Sequence, residues 1–152
     1  MRYLTMLVTV SLALLYSCKE KTDEKSTEET MNGTEVVSEN GDFCYLKVIS
    51  RDSIILNFTR KGDSISGNFK WLPYEKDKKR STFKGTVTRN TANATGVYQA
   101  EGMEYEEELI FTIEGNTASV KFGEMMEADN GVWKYKNINK TSTEVLNKID
   151  CK

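Results

Sequence analysis

Residues 54–71 decide the fold, and they read IILNFTRKGDSISGNFKW. Ile54, Leu56 and Phe58 fall on one face of an extended chain, because successive side chains of a strand point to opposite faces. The sequence RKGD then supplies a turn, after which apolar and polar residues alternate again as far as Trp71. The stretch therefore predicts a β-hairpin with one apolar face.

Similar short stretches of alternating residues recur along the rest of the chain, separated by turn sequences rich in Gly and Asn. Their central apolar residues are Phe83, Tyr98, Phe111, Val120 and Trp133. With a strand starting at Phe43, the pattern predicts an all-β domain over residues 43–152. We expect an antiparallel, barrel-like meander of about eight strands. Residues 141–149 are expected to form a helical turn or an irregular tail.

Three of these strands share a glycine two residues before a larger apolar side chain, at Gly67, Gly85 and Gly96. Glycine inside a strand marks a bend, a bulge or a close backbone approach, and curved sheets need such points to close. Over residues 43–135 this pattern resembles the small lipocalin-like barrels of bacterial envelope lipoproteins. The Gly-x-Trp signature of lipocalins near the first strand is absent, so the resemblance concerns architecture alone.

The N-terminal residues have the pattern of an export signal. Arg2 precedes an apolar run of about 12 residues, within the length of a signal peptide. The run ends in Leu15-Tyr16-Ser17-Cys18, which resembles the bacterial lipobox, with Tyr16 bulkier than usual. The resemblance implies a signal peptide over residues 1–17, cleavage before Cys18, and diacylglycerol and acyl groups on that cysteine. The alternative is an ordinary secretory signal followed by an unrelated cysteine.

Residues 18–42 are predicted to be a disordered, lipid-anchored tether, since they are charged, rich in Ser and Thr and poor in large apolar residues. Lys19 occupies the position where Asp retains enteric lipoproteins at the inner membrane, so the resemblance implies the outer membrane. The charged residues after Cys18 are similar to the tethers of surface lipoproteins of Bacteroidetes-like bacteria. Both the periplasmic face and the cell surface stay open as locations.

The number of cysteines is consistent with this interpretation. The chain contains three, and an unpaired thiol is awkward in an oxidising compartment. If Cys18 carries lipid, Cys44 and Cys151 remain as a pair at the two ends of the predicted domain. We predict a disulfide between them; two buried free thiols are the alternative.

Composition excludes several classes of function. The net charge of −2 and the lack of a basic stripe argue against nucleic-acid binding. The chain contains no His, which removes the commonest general base and the commonest metal ligand. The sequence also shows no phosphate-binding loop, zinc pattern or nucleophile elbow. We therefore expect neither an enzyme nor a metal site, and no cofactor besides the lipid on Cys18.

Aromatic and acidic residues of the predicted strands are the candidates for ligand binding. Trp71, Tyr98 and Trp133 are expected to line a cavity for an apolar ligand, and core packing is the alternative explanation. Among the carboxylates at 101–108, alternation directs Glu107 inward, near a barrel mouth, where we expect it to contact a ligand or cation. The alternative is a solvated acidic edge that prevents aggregation.

These observations leave two functional hypotheses. The first is a non-catalytic binding module for a small apolar or amphipathic ligand. The second is an envelope protein that docks or inhibits a protein partner, through a sheet edge or through the charged loop at 73–79. A cavity favours the first hypothesis, and a filled core with an exposed apolar patch favours the second.

Overall fold

Alternating side chains build ten β-strands within residues 40–152, the part of the chain that the computed structural model describes. A short 3-10 helix, Ile138–Lys140, precedes the last strand. The strands are β1 (Gly41–Ile49), β2 (Asp52–Lys61), β3 (Ser64–Leu72), β4 (Lys79–Thr88), β5 (Thr91–Ala100), β6 (Met103–Glu114), β7 (Thr117–Phe122), β8 (Met125–Glu127), β9 (Trp133–Tyr135) and β10 (Ser142–Ile149).

Eight of these strands close into an antiparallel barrel in the order β1-β2-β3-β4-β5-β6-β7-β10, and β10 pairs with β1 to complete the ring. The other two strands form an antiparallel hairpin outside the ring, in which β9 pairs in parallel with β6. The prediction of an all-β, barrel-like antiparallel meander is confirmed.

Two expectations about strands need correction. Residues 141–149 were expected to be a helical turn or an irregular tail, and this is wrong, because they form β10 between β1 and β7. Leu146 is the only fully buried residue of β10. The alternation of apolar and polar residues along this strand is therefore too weak to predict a strand from the sequence. Backbone pairing on both sides supplies the strand with hydrogen bonds that local sequence does not reveal. The predicted strand at Trp133 exists as β9, but it lies outside the closed ring.

Other predictions fall on residues that the structure does not describe. The predicted signal peptide at 1–17, the predicted lipid attachment at Cys18 and most of the predicted tether at 18–42 lie outside residues 40–152. The first strand begins at Gly41, slightly before the expected start of the domain at Phe43.

The middle of the barrel is filled by side chains. Phe58 stacks on Phe43 with ring centroids 5.1 Å apart and packs against Phe111 at 5.4 Å. Such filling is expected of eight strands, whose interior is just wide enough for side chains. The core comprises Phe43, Tyr45, Ile54, Leu56, Phe58, Ile65, Phe69, Phe83, Val87, Ala92, Ala94, Leu109, Phe111, Ile113, Ala118, Val120 and Leu146.

The two ends of the barrel differ. We call one end the base; it carries the β2–β3, β4–β5 and β6–β7 turns and both termini of the domain. We call the opposite end the mouth; it carries the β1–β2 and β5–β6 turns, the β3–β4 loop and the segment that joins β7 to β10. Cys44 and Cys151 form a disulfide with their Cα atoms 5.3 Å apart, and it ties the chain after β10 to β1.

Two of the three strand glycines permit close backbone contact. A Cβ atom added to Gly67 would lie 2.0 Å from the backbone oxygen of Asn57, and one added to Gly85 would lie 2.3 Å from that of Asn93. At Gly96 the nearest atom would be the Oγ of Ser81 at 3.4 Å, an ordinary contact. The shared glycine pattern therefore marks close approach at Gly67 and Gly85 only.

This difference predicts unequal effects of adding a methyl group. Gly67→Ala should lower the free energy of unfolding by about 1–3 kcal/mol or more, because the backbone of β2 must move away. Gly96→Ala is the matched control and should change it by less than about 1 kcal/mol. Urea denaturation monitored by circular dichroism measures both, and equal losses in the two variants would contradict the structure.

Removal of the disulfide is expected to cost about 2–5 kcal/mol, since it closes a long loop in the unfolded chain. The test compares the domain from Lys19 onward with its Cys44→Ser/Cys151→Ser variant in denaturant. In the presence of a reductant, the free energy of unfolding of the wild-type protein should equal that of the variant. Two titratable thiols in denatured, non-reduced wild type would show that the bridge is absent.

Candidate functional site

A cavity forms at the mouth where β6 and β7 separate. Their pairing extends only from Glu114 opposite Thr117 to Phe111 opposite Val120, although β6 continues back to Met103. The β8–β9 hairpin fills part of the gap and contacts β6 at Glu107. A cavity of 290 Å³ remains, lined by Phe69, Trp71, Lys79, Glu107, Glu108, Lys121, Phe122, Gly123, Met125 and Tyr135.

One wall of this mouth cavity is aromatic. The ring of Phe122 lies 6.1 Å from that of Phe69 and 6.4 Å from that of Trp71, measured between centroids. Trp71 continues the inward-facing series of β3, but it stands at the mouth, and 38% of its surface is exposed. An apolar group of a ligand therefore has an aromatic surface to bury here.

The cavity lining also carries an ion pair between Lys79 and Glu107, and Lys79 is the cross-strand neighbour of Trp71 in the β3–β4 pairing. Their side chains are 28% and 12% exposed, so their attraction is screened less than that of a surface pair. The Lys79 ammonium also lies 4.1 Å from the ring centroid of Tyr98, within the range of a cation–π interaction. The glutamate that points inward thus already has a cationic partner.

Tyr135 of β9 fastens the hairpin against the barrel. Its hydroxyl donates a hydrogen bond to the carbonyl oxygen of Lys121 at 2.6 Å, and its backbone N–H donates to Glu108 Oε2 at 3.2 Å. Burial raises the pKa of Tyr135 to about 12, and the negative charges of Glu107 and Glu108 contribute to the rise. The phenol therefore stays protonated as a donor at physiological pH.

A second cavity of 200 Å³ adjoins the first, and Trp71 and Phe122 line both. This second cavity also contains an ion pair, between Lys47 and Glu144. The two aromatic rings therefore border two small spaces, each lined by both apolar and charged residues. The mouth is amphipathic, in contrast to the apolar middle of the barrel.

The structure brings together some of the residues predicted from sequence. Trp71 and Glu107 both line the mouth cavity. Tyr98 and Trp133 are not among its described lining residues. Tyr98 contacts the ion pair through Lys79 and stacks on Tyr105, with centroids 5.4 Å apart, while Trp133 pairs with Glu107 along the backbone.

Several site residues were not predicted. Lys79 lies on the inward face of β4 together with Phe83, because the two residues are an even number of positions apart. The charged residues around Lys79 hide this alternation in the sequence. Phe122 shares one face of β7 with Ala118 and Val120, and this alternation does not distinguish a core residue from a cavity residue. Lys121, Glu108 and Tyr135 meet only because the β8–β9 hairpin folds back onto β6, a long-range contact that no local pattern indicates.

Within residues 40–152, no group of three or more His, Cys, Asp or Glu side chains is placed to hold a metal ion. In the same part of the chain, no helix has the length and apolar character needed to cross a membrane.

No protein-family model matches the chain, and comparisons with curated proteins and with solved structures give no match. The site is therefore interpreted from its own geometry. Fold and cavity together define a closed, eight-stranded antiparallel barrel with an amphipathic cavity at one end.

The raised pKa of Tyr135 predicts a loss of stability in alkaline solution. Above pH 10 the unfolded chain releases this phenolic proton first, so the unfolded state is favoured increasingly until about pH 12. The free energy of unfolding of wild type should fall by up to about 1.4 kcal/mol more per pH unit than that of Tyr135→Phe. Urea denaturation between these pH values measures the two slopes, and identical slopes would contradict the burial of this phenol.

Proposed function

We propose that this protein is a bacterial envelope lipoprotein, anchored to the outer membrane through lipid on Cys18, whose barrel binds a small amphipathic ligand without chemical change. The observation that carries the proposal is the mouth cavity, which aromatic rings and charged groups line together. Ligand pockets combine these features: apolar side chains supply most of the contact, and a few polar groups fix orientation.

The size of the site is compatible with a small ligand. Ligand pockets typically enclose about 300–1,000 Å³. The mouth cavity, at 290 Å³, lies at the lower limit, and the adjoining cavity, at 200 Å³, lies below it. Trp71 and Phe122 line both spaces, so these two side chains are a shared boundary between them.

Binding without catalysis agrees with the chemistry of the lining. Glu107, the inward-facing carboxylate, is paired with Lys79 and is therefore held by a structural partner. A general base needs free access to the proton that it removes. The chain contains no His to take that role.

The anchor is supported by Leu15-Tyr16-Ser17-Cys18 and the apolar run before it. Strand β1 starts at the base of the barrel, so the chain that leads from Cys18 enters the domain at the end opposite the mouth. Two or more acyl chains give lasting membrane attachment, where one chain is marginal.

The anchor is tested with Cys18→Ala in the full-length protein. We expect wild type to sediment with membranes and the variant to lose this association, because the thioether cannot form. Metabolic labelling with palmitate provides a second readout. Unchanged sedimentation and labelling of the variant would refute the lipid anchor.

Ligand binding is tested with amphiphiles that share a dodecyl chain, used below their critical micelle concentrations. In a Trp133→Phe protein, Trp71 is the sole tryptophan, and its fluorescence should change as the cavity fills. Phe122→Ala should weaken binding at least about tenfold through lost apolar contact. Val145→Ala, an exposed residue of β10, is the control and should bind like wild type. Absence of binding by every amphiphile would refute the proposal.

A second candidate function, docking of a protein partner, is favoured by an exposed patch at the rim of the mouth. Ile49 and Tyr74 are about half exposed, at 48% and 49%, and border a groove of 430 Å³ with Trp71. The Arg51 guanidinium lies 3.2 Å from the centroid of the Tyr74 ring, and Asp52 accepts the Tyr74 backbone N–H at 2.8 Å.

Docking is tested with Tyr74→Ala. If docking is the function, this variant should no longer capture an envelope protein that wild type captures. Amphiphile binding should be unchanged in the variant, because Tyr74 does not line the mouth cavity.

A further inference from the structure

We propose that the head group recognised by the mouth cavity is zwitterionic, with its acidic part on Lys121 and a primary ammonium on Glu108. This inference rests on the proposed ligand-binding function and names the chemical class of the ligand. It follows from how the charged groups of the cavity are partnered.

Four ionic residues line the cavity: Lys79, Lys121, Glu107 and Glu108. Lys121 and Glu108 alternate with the inward-facing Phe122 and Glu107, so their side chains lie on the outer side of the opening between β6 and β7, next to the β8–β9 hairpin. Lys79 and Glu107 neutralise one another as an ion pair. Lys121 and Glu108 line the same space but form no ion pair, either with each other or with another described residue. The cavity thus holds one positive and one negative group apart from each other.

The partners of these two groups leave bonding capacity for a ligand. The Lys121 ammonium has three donors, and its hydrogen bond within the described chain is a long one, 3.4 Å, to the Thr141 hydroxyl. The Glu108 carboxylate accepts the Tyr135 N–H at 3.2 Å, which occupies one of its two oxygens. Neither contact neutralises the charge that it touches.

Charge balance selects among possible head groups. The four lining charges sum to zero, so a purely anionic head would leave excess negative charge beside Glu107 and Glu108. A purely cationic head would leave excess positive charge beside the two lysines. Uncompensated charge is costly in a partly buried site. A head that carries both charges satisfies Lys121 and Glu108 together and keeps the cavity neutral.

The remainder of the ligand is apolar. The cavity that holds Lys121 and Glu108 is bounded on another side by Phe69, Trp71 and Phe122. An alkyl chain attached to the head would lie against these rings. The ligand is therefore a single-chain amphiphile with an ammonium group and an acidic group, the latter a carboxylate or a phosphate.

Three compounds with the same chain length test the head group by isothermal titration calorimetry at pH 7. They are 2-aminododecanoate, which has both charges, dodecanoate, which has the anion alone, and dodecylammonium, which has the cation alone. We expect 2-aminododecanoate to bind at least about tenfold more tightly than either of the others, since each charge-assisted hydrogen bond is worth roughly this factor. Dodecylphosphoethanolamine, tested in parallel, distinguishes a phosphate from a carboxylate as the acidic part.

Two variants assign the charges to residues. Glu108→Gln keeps an oxygen acceptor for the Tyr135 N–H and should reduce the affinity for 2-aminododecanoate to that for dodecanoate. Lys121→Met keeps the apolar stem of the side chain and should reduce the affinity for 2-aminododecanoate to the affinity for dodecylammonium. The exposed neighbours give the matched controls, Glu106→Gln and Lys134→Met, which should bind like wild type.

The possible outcomes separate this inference from the proposed function. Equal or tighter binding of dodecanoate or dodecylammonium would overturn the zwitterionic head and leave the amphiphile site in place. So would affinities that are unchanged in Glu108→Gln and Lys121→Met. Failure of all these compounds and of neutral dodecyl maltoside to bind would instead refute the ligand-binding function itself.

Discussion

Pairing of β10 with β1 on one side and with β7 on the other is the constraint on which the structure depends. It closes the sheet, removes the free edges of the eight barrel strands and fixes which side chains face inward. Eight strands leave an interior only wide enough for side chains. The residues at each level of the barrel therefore decide whether that level is core or cavity.

The levels of the barrel differ in composition. Aromatic and aliphatic residues such as Phe58 and Phe111 fill the middle, whereas the mouth carries the pairs Lys79–Glu107 and Lys47–Glu144. Replacing partly buried ion pairs by well-packed apolar residues is often neutral or stabilising. Our proposal assigns these charged groups and the exposed tryptophan beside them to ligand recognition, and they lie where the interior space opens.

Local alternation predicted most of the barrel. Residues such as Ile54, Leu56 and Phe58 lie on one face of a strand because of their spacing alone, so their burial can be predicted without knowing which strands pair with them. Local alternation failed at β10, where Leu146 alone is fully buried and the strand is defined by its neighbours. In the site, Trp71 and Glu107 could be found by the same parity argument. Lys121 and Tyr135 could not, since their meeting depends on the β8–β9 hairpin folding back onto β6.

Native mass spectrometry of the protein purified gently from its own envelope tests the central claim, an amphiphile-binding barrel, most directly. The account predicts a single small-molecule adduct that is lost on denaturation and whose fragments contain an amine and an acidic group on one alkyl chain. A stoichiometric polypeptide partner, or a protein without any adduct whose spectrum does not respond to added amphiphiles, would contradict it.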